Sequence, residues 1–126
     1  MTREEKELLL KEISARLPYG LIVQYKRKTF EPYSEYTADE KVEIDDMLHH
    51  RLKVLDCKPY LRPMSSMTEE ESEKFEEFLE LQTEYTTGAD IRFKYDMFDW
   101  LNSRHFDYRG LIEKGLALEA PEEMYN

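Results

Sequence analysis

The chain has 126 residues, 40% hydrophobic and 13% aromatic with nine Tyr and six Phe; this content excludes a disordered polymer and fits one domain around one core. No apolar run approaches the roughly 18 residues of a membrane span, and a single Cys excludes an intrachain disulfide framework and fits a reducing cytoplasm. The net charge of −10 is lopsided: residues 1–62 hold 12 basic and 12 acidic residues and residues 63–126 hold 6 and 16, so the second half carries all of it and suits a phosphate backbone poorly.

The N-terminus, MTREEKELLLKE, intermixes acidic and basic residues without a long apolar stretch, which predicts no signal peptide. Thr2 and Glu5 have capping-box spacing, and Leu9, Leu10, Ile13 and Leu17 share a narrow arc of a 3.6-residue period. The spacing predicts a helix over about residues 3–17, stopped by Pro18-Tyr19-Gly20. Leu21, Val23 and Tyr25 alternate with polar residues as in a strand. Residues 29–40, with Pro32, read as a turn-rich connection whose length is usual for a mobile or functional loop. Val42 and Ile44 suggest a second strand, followed by a brief helical turn near 45–50 and a strand at about 52–57.

The strongest local pattern runs from Lys58 to Tyr85. Pro59 and Pro63 fix their own φ and extend the residues before them, so Lys58 to Arg62 is expected to be extended but not a central strand. Thr68 and Glu71 form a second capping-box pair, with Ser66 and Glu69 as a competing cap, and Glu69, Glu70 and Glu71 sit where a helix dipole favours negative charge. Phe75, Phe78, Leu79 and Tyr85 define one buried face, with Leu81 at its edge. Glu73, Glu76, Glu77 and Glu80 define the opposite face, which is either solvated helix surface or an acidic surface for a basic partner.

Thr86-Thr87-Gly88 then breaks the chain. Ile91, Phe93 and Tyr95 alternate as a further strand, and Asp96 is placed to cap a short helix showing Met97, Trp100 and Leu101 on one face. The Gly-punctuated tail from Phe106 to Leu118 is expected to pack irregularly, with at most a short helical turn, before a polar exit at 119–123. The whole predicts a single α+β domain over residues 1–126. Its parts are an N-terminal helix, a small mainly antiparallel sheet, an acidic amphipathic helix packed on it, a short C-terminal helix and an irregular tail.

Motifs for chemistry are sparse. Asp45/His49 and Asp46/His50 are i,i+4 pairs if that piece is helical, and His105 lies near Asp107, so Asp46, His49, His50 and His105 are the candidate metal ligands. No HExxH or CxxC spacing supports such a site, and the reading preferred for these residues is ordinary surface or helix-end histidines. A Cys–His pair would need Cys57 beside one of the histidines, whereas a Cys at the end of an apolar strand is usually a small hydrophobe. Ser65-Ser66 lacks a GxSxG setting, and no Walker loop or GxGxxG appears, so no cofactor is expected. Arg109, between Tyr108 and Gly110, could meet a carboxylate or phosphate, or be a salt-bridged residue of a turn. Lys26, Arg27, Lys28, Arg51, Lys53, Lys58 and Arg62 are interleaved with Tyr25, Phe30, Tyr33, Tyr36 and Tyr60. That composition suits a single-strand binding face, or cross-strand aromatic packing beside solvated cations.

Three strings, KELLLKEISARLPYG at 6–20, KPYLRPMSSMTEEE at 58–71 and WLNSRHFDYRGLIEKGLALEAPEEMY at 100–125, resemble a family of short hypothetical proteins of anaerobic gut bacteria, their phages and mobile elements. The resemblance implies a bacterial or phage cytoplasmic protein with a role in a mobile element, and carries no activity, cofactor or site residue onto these positions. The expected function is a non-enzymatic protein-interaction or regulatory module whose acidic second half, through Glu73, Glu76, Glu77 and Glu80, meets a basic protein partner. The alternatives are a small metal-dependent or Cys/His hydrolase, and a single-stranded nucleic-acid binder using the first-half patch.

Overall fold

The computed structural model describes residues 1–30, 32–42, 57–84 and 89–125, the side chains of 26–30, 81–84 and 89–95 excepted. Helix α1 spans Arg3–Arg16 and starts on the expected capping box: the Thr2 amide donates to Glu5 Oε1 at 3.0 Å and the Glu5 amide to Thr2 Oγ1 at 3.1 Å. A 3-10 turn, Leu17–Tyr19, ends in Gly20 at φ 73°, where a side chain would be strained. Strand β1 (Ile22–Phe30) then pairs antiparallel with β2 (Tyr33–Lys41), from Ile22↔Lys41 out to Phe30↔Tyr33. Strand β3 (Cys57–Leu61) joins the other edge of β1 antiparallel, and the two-residue β4 (Leu118–Glu119) adds to β3 in parallel, giving the order β2-β1-β3-β4. Helices α2 (Glu69–Glu84) and α3 (Ala89–Ser103) complete an α+β architecture with an N-terminal helix and a mainly antiparallel sheet.

Four local expectations are corrected. Residues 29–40 are not a loop: β2 fills most of that stretch as an edge strand whose residues are nearly all exposed. With both faces toward solvent it needs no alternation of apolar and polar residues, so its sequence lacks the period-2 signature. Lys58 to Leu61 belong to an inner strand, despite Pro59. Pairing to β4 begins only at Tyr60, past the proline, so the missing amide interrupts no ladder on that side. Residues 91–95 are helical, not a strand, and Asp96 lies inside α3 rather than capping it. Phe93, Met97, Trp100 and Leu101 also fall at 4, 7 and 8 spacing, and over a short window this helical period is hard to tell from alternation. Leu79, assigned to the buried face of the acidic helix, is 41% exposed, because α2 packs through Phe75 and Phe78. The helical turn expected near 45–50 and most of the strand at 52–57 lie outside the described residues. Val42 is buried just past β2, with its amide 2.8 Å from the Leu21 carbonyl.

The apolar interior has two parts. One gathers Leu9 and Ile13 of α1, Leu21, Val23, Cys57 and Leu61 of the sheet region, and Leu111, Leu116 and Ala117 of the tail. The other joins Met97 and Leu101 of α3 and Phe106 to Met64, Met67, Phe75, Phe78 and Trp100. Arg16 ties them together. It is 1% exposed, and its Nη1 donates to Glu12 Oε2 at 2.6 Å and to the Glu12 carbonyl at 2.8 Å, while Nη2 donates to the Phe106 carbonyl at 2.7 Å. Arg109 Nε closes on the other Glu12 oxygen at 2.8 Å. Both Arg16 and Glu12 are buried, so removing either partner strands a charge away from water.

Arg16→Met should therefore destabilise the fold by about 3–5 kcal/mol. Urea denaturation checks this, and a loss below about 1 kcal/mol would show that Arg109 and solvent replace Arg16 at Glu12.

Candidate functional site

The C-terminus of α3 sets the geometry of the candidate site. The His105 amide donates to the Asn102 carbonyl at 3.1 Å and the Phe106 amide to the Leu101 carbonyl at 3.1 Å, the paired bonds of a Schellman cap. The residue at the left-handed position of such a cap is usually Gly; here it is His105, at φ 60°, the one non-Gly residue with positive φ among the described residues. Neighbouring contacts hold it there. The Arg62 amide donates to the His105 carbonyl at 2.7 Å, and the imidazole stacks on Tyr125 with centroids 3.8 Å apart and planes 19° apart. Nε2 lies 3.0 Å from the Tyr19 carbonyl and so carries the proton, leaving Nδ1 as a buried acceptor without a partner among the described residues. Burial pushes the His105 imidazole down to about 4, so the ring is neutral near pH 7.

Around His105 opens a cleft of about 840 Å³. Tyr19 and Gly20 line it from the turn after α1, Lys41 from the end of β2, and Glu70, Glu71 and Lys74 from the first turns of α2. Trp100 and Arg104 contribute from the end of α3, and Met124 and Tyr125 from the tail. Tyr125 anchors the tail: its hydroxyl donates to the Tyr60 carbonyl at 2.7 Å and accepts from the Ile22 amide at 3.1 Å, and burial raises its pKa to about 12. On the α2 side the Thr68–Glu71 capping box is present, at 3.0 and 3.2 Å, and Arg62 grips both Glu71 oxygens at 2.7 and 2.9 Å. Those Arg62 bonds hold the Glu71 carboxyl down at about 2. The competing cap is not used, since Ser66 Oγ donates to the Pro63 carbonyl.

The structure disperses the residues singled out from the sequence. Asp46, His49 and His50 lie outside the described residues. His105 lines the large cleft, whereas Cys57 lines a separate cavity of about 290 Å³ beside Leu9 and Leu116. No group of three His, Cys, Asp or Glu side chains that could hold a metal occurs among the described residues. Arg109 is engaged by Glu12. Glu73, Glu76, Glu77 and Glu80 are all exposed on α2. Of the basic and aromatic patch, Tyr33 and Tyr36 are exposed on β2, Tyr60 is buried and bonded to Asp39 and Gln24, and Arg62 is committed to Glu71. Lys41, Lys74, Arg104 and Tyr125 were not singled out from the sequence, because they come from four distant segments. A helix ending at Ser103-Arg104-His105 with no Gly at the cap was the one local signal available.

Two pH windows follow from the two depressed groups. Between about 6.5 and 4 the unfolded chain protonates His105 while the native protein resists, so stability falls as pH falls. Between about 4.5 and 2 the same holds for Glu71. His105→Asn, which tolerates the left-handed backbone, should flatten the first slope relative to wild type, by on the order of 2 kcal/mol across the window, and leave the second. Glu71→Gln should do the reverse. Urea midpoints across both windows check this, and a first slope unchanged in His105→Asn would place the titration elsewhere. Compared with protein-family models, with curated proteins and with solved structures, the chain matches none.

Proposed function

We propose that this chain is a non-enzymatic interaction module that docks onto a basic protein partner through the outer face of α2. The observation that carries the reading is the separation of roles on that helix. Its inner side is held by Phe75 and Phe78 against the α3 cluster and by the Arg62–Glu71 pair. Glu73, Glu76, Glu77 and Glu80 face outward and exposed, with Lys74 no nearer than 3.9 Å to Glu77. These carboxylates are displayed together on one rigid element, and a partner can neutralise them without disturbing the fold. The hydrolase alternative is less well supported: the His105 Nε2–H is committed to a backbone carbonyl, and Cys57 is packed as a core residue beside a separate cavity. A cytoplasmic setting and a role in bacterial, phage or mobile-element biology belong to this reading through the resemblance of the three strings.

A pull-down from a native host, with mass spectrometry, identifies the partner. Association should slow steeply as salt rises, because the screening length shrinks from about 10 Å at 0.1 M to about 3 Å at 1 M. Replacing the four outward Glu by Gln should change folding stability by no more than about 0.5 kcal/mol per site. It should weaken partner binding more than tenfold, about 1.4 kcal/mol. Binding that is independent of salt and survives the fourfold replacement overturns the reading.

A further inference from the structure

The acidic helix is one side of a charge contrast; the cleft is the other. Its lining holds four cations, Lys41, Arg62, Lys74 and Arg104, against two carboxylates, Glu70 and Glu71, in a chain whose net charge is −10. Arg62 and Glu71 cancel each other in a bidentate pair. Of the other three cations, which face Glu70, Lys74 is shared with Glu77, which is not part of the lining. Lys41 and Arg104 make no ion pair among the described residues, whereas Lys74 is paired with Glu77 at 3.9 Å and its ammonium lies 5.1 Å from the Phe78 ring centroid. Two cations without ion pairs in one recess, Lys41 and Arg104, raise the energy of the empty cleft and lower it when an anion enters.

The backbone makes room for this arrangement. The Lys41 side chain lies against Gly20, where a Cβ would come within 2.8 Å of Lys41 Cε and 3.3 Å of Nζ. Gly20 thus serves both the left-handed turn and the path of a lysine to the cleft. The walls add aromatic surface, with Tyr19 41% exposed and Trp100 half-buried. They also include His105, a residue only 3% exposed and kept in a conformation that a histidine rarely adopts. A volume of about 840 Å³ falls within the range of small-molecule sites.

We propose that the cleft binds a small phosphorylated ligand bearing a flat ring, with the phosphate among Lys41, Lys74 and Arg104 and the ring against Tyr19 and Trp100. Three cations suit the two charges of a phosphate monoester better than the one of a carboxylate, and aromatic faces suit a planar heterocycle. The proposal does not rest on docking through the outer face of α2, although Lys74 of the cleft is the ion-pair partner of Glu77 on that face.

Trp100 is the only tryptophan of the chain, so its emission reports on the cleft directly. The full chain is titrated with adenosine monophosphate, adenosine and inorganic phosphate, followed by Trp emission and by calorimetry. Adenosine monophosphate should bind saturably with a dissociation constant below about 1 mM. It should bind at least tenfold more tightly than adenosine or phosphate, and the affinity should fall as salt rises. Lys41→Gln and Arg104→Gln, both at exposed positions, should keep the circular dichroism and melting temperature of the parent and each weaken binding at least tenfold. Lys74→Gln serves as the third variant should either of these change the fold. Absence of saturable binding, adenosine or phosphate binding as tightly as the monophosphate, or binding unaffected in the folded variants overturns the proposal.

Discussion

The fold depends on how Arg16 is satisfied. A guanidinium that is almost fully buried needs several acceptors. Its two terminal nitrogens find them in the side chain and carbonyl of Glu12, one turn back on its own helix, and in the carbonyl of Phe106, 90 residues away, while Nε has no partner among the described residues. Glu12 is completed by Arg109, and Tyr108 lies under both arginines, with its ring centroid 5.2 Å from the Arg16 guanidinium and 5.6 Å from that of Arg109. The first helix and the C-terminal tail are thus joined by charge-assisted bonds in an interior too dry to tolerate them unpaired. The sheet-side cluster and the α2–α3 cluster meet at this point, and a change here would be felt in both.

Phe106 also lies at the junction of a second chain of constraints. Its neighbour His105 turns the backbone out of α3, and β3 receives it: the Arg62 amide donates to the His105 carbonyl, and the Asp107 amide donates back to the Arg62 carbonyl. Asp107 then caps the next turn by accepting from the amides of Leu111 and Ile112 at 2.7 and 3.0 Å. In a tail with almost no regular structure, the buried residues Phe106, Asp107, Leu111, Leu116 and Ala117 all have their amides hydrogen-bonded, which is what buried irregular backbone requires. The cleft results from these constraints. The left-handed corner at His105 lines it together with residues of α2, the end of α3 and the tail.

The distribution of charge follows from the same framework. Most of the acidic residues of the second half face outward, while Glu12 and Glu71, both buried, are each matched by arginine. Cations lining the cleft come from segments of either half, so the local sign there is opposite to that of the molecule. An acidic ridge and a cationic recess on one small chain are compatible because an exposed charge is screened within about 10 Å at ordinary salt.

Features written in local sequence were legible. Two capping boxes, the Pro18–Gly20 stop, the first strand, the extended Pro59 strip and the Phe75 and Phe78 face of the acidic helix all rest on interactions within a few residues, so spacing alone determined them. The α+β class followed from the same patterns. What tertiary structure alone decided was of two kinds. Where a segment carries two overlapping periods, as at 91–95, or none, as in β2, its state is chosen by the neighbour it pairs or packs with. Where a side chain is buried against its nature, as with Arg16 and His105, its long-range partner is a carbonyl whose position depends on the whole fold, and a carbonyl leaves no mark in the sequence. The cleft belongs to the second kind. Lys41, Lys74, Arg104 and Tyr125 read in sequence as solvated residues and tail, and only the corner at His105 brings them to one recess.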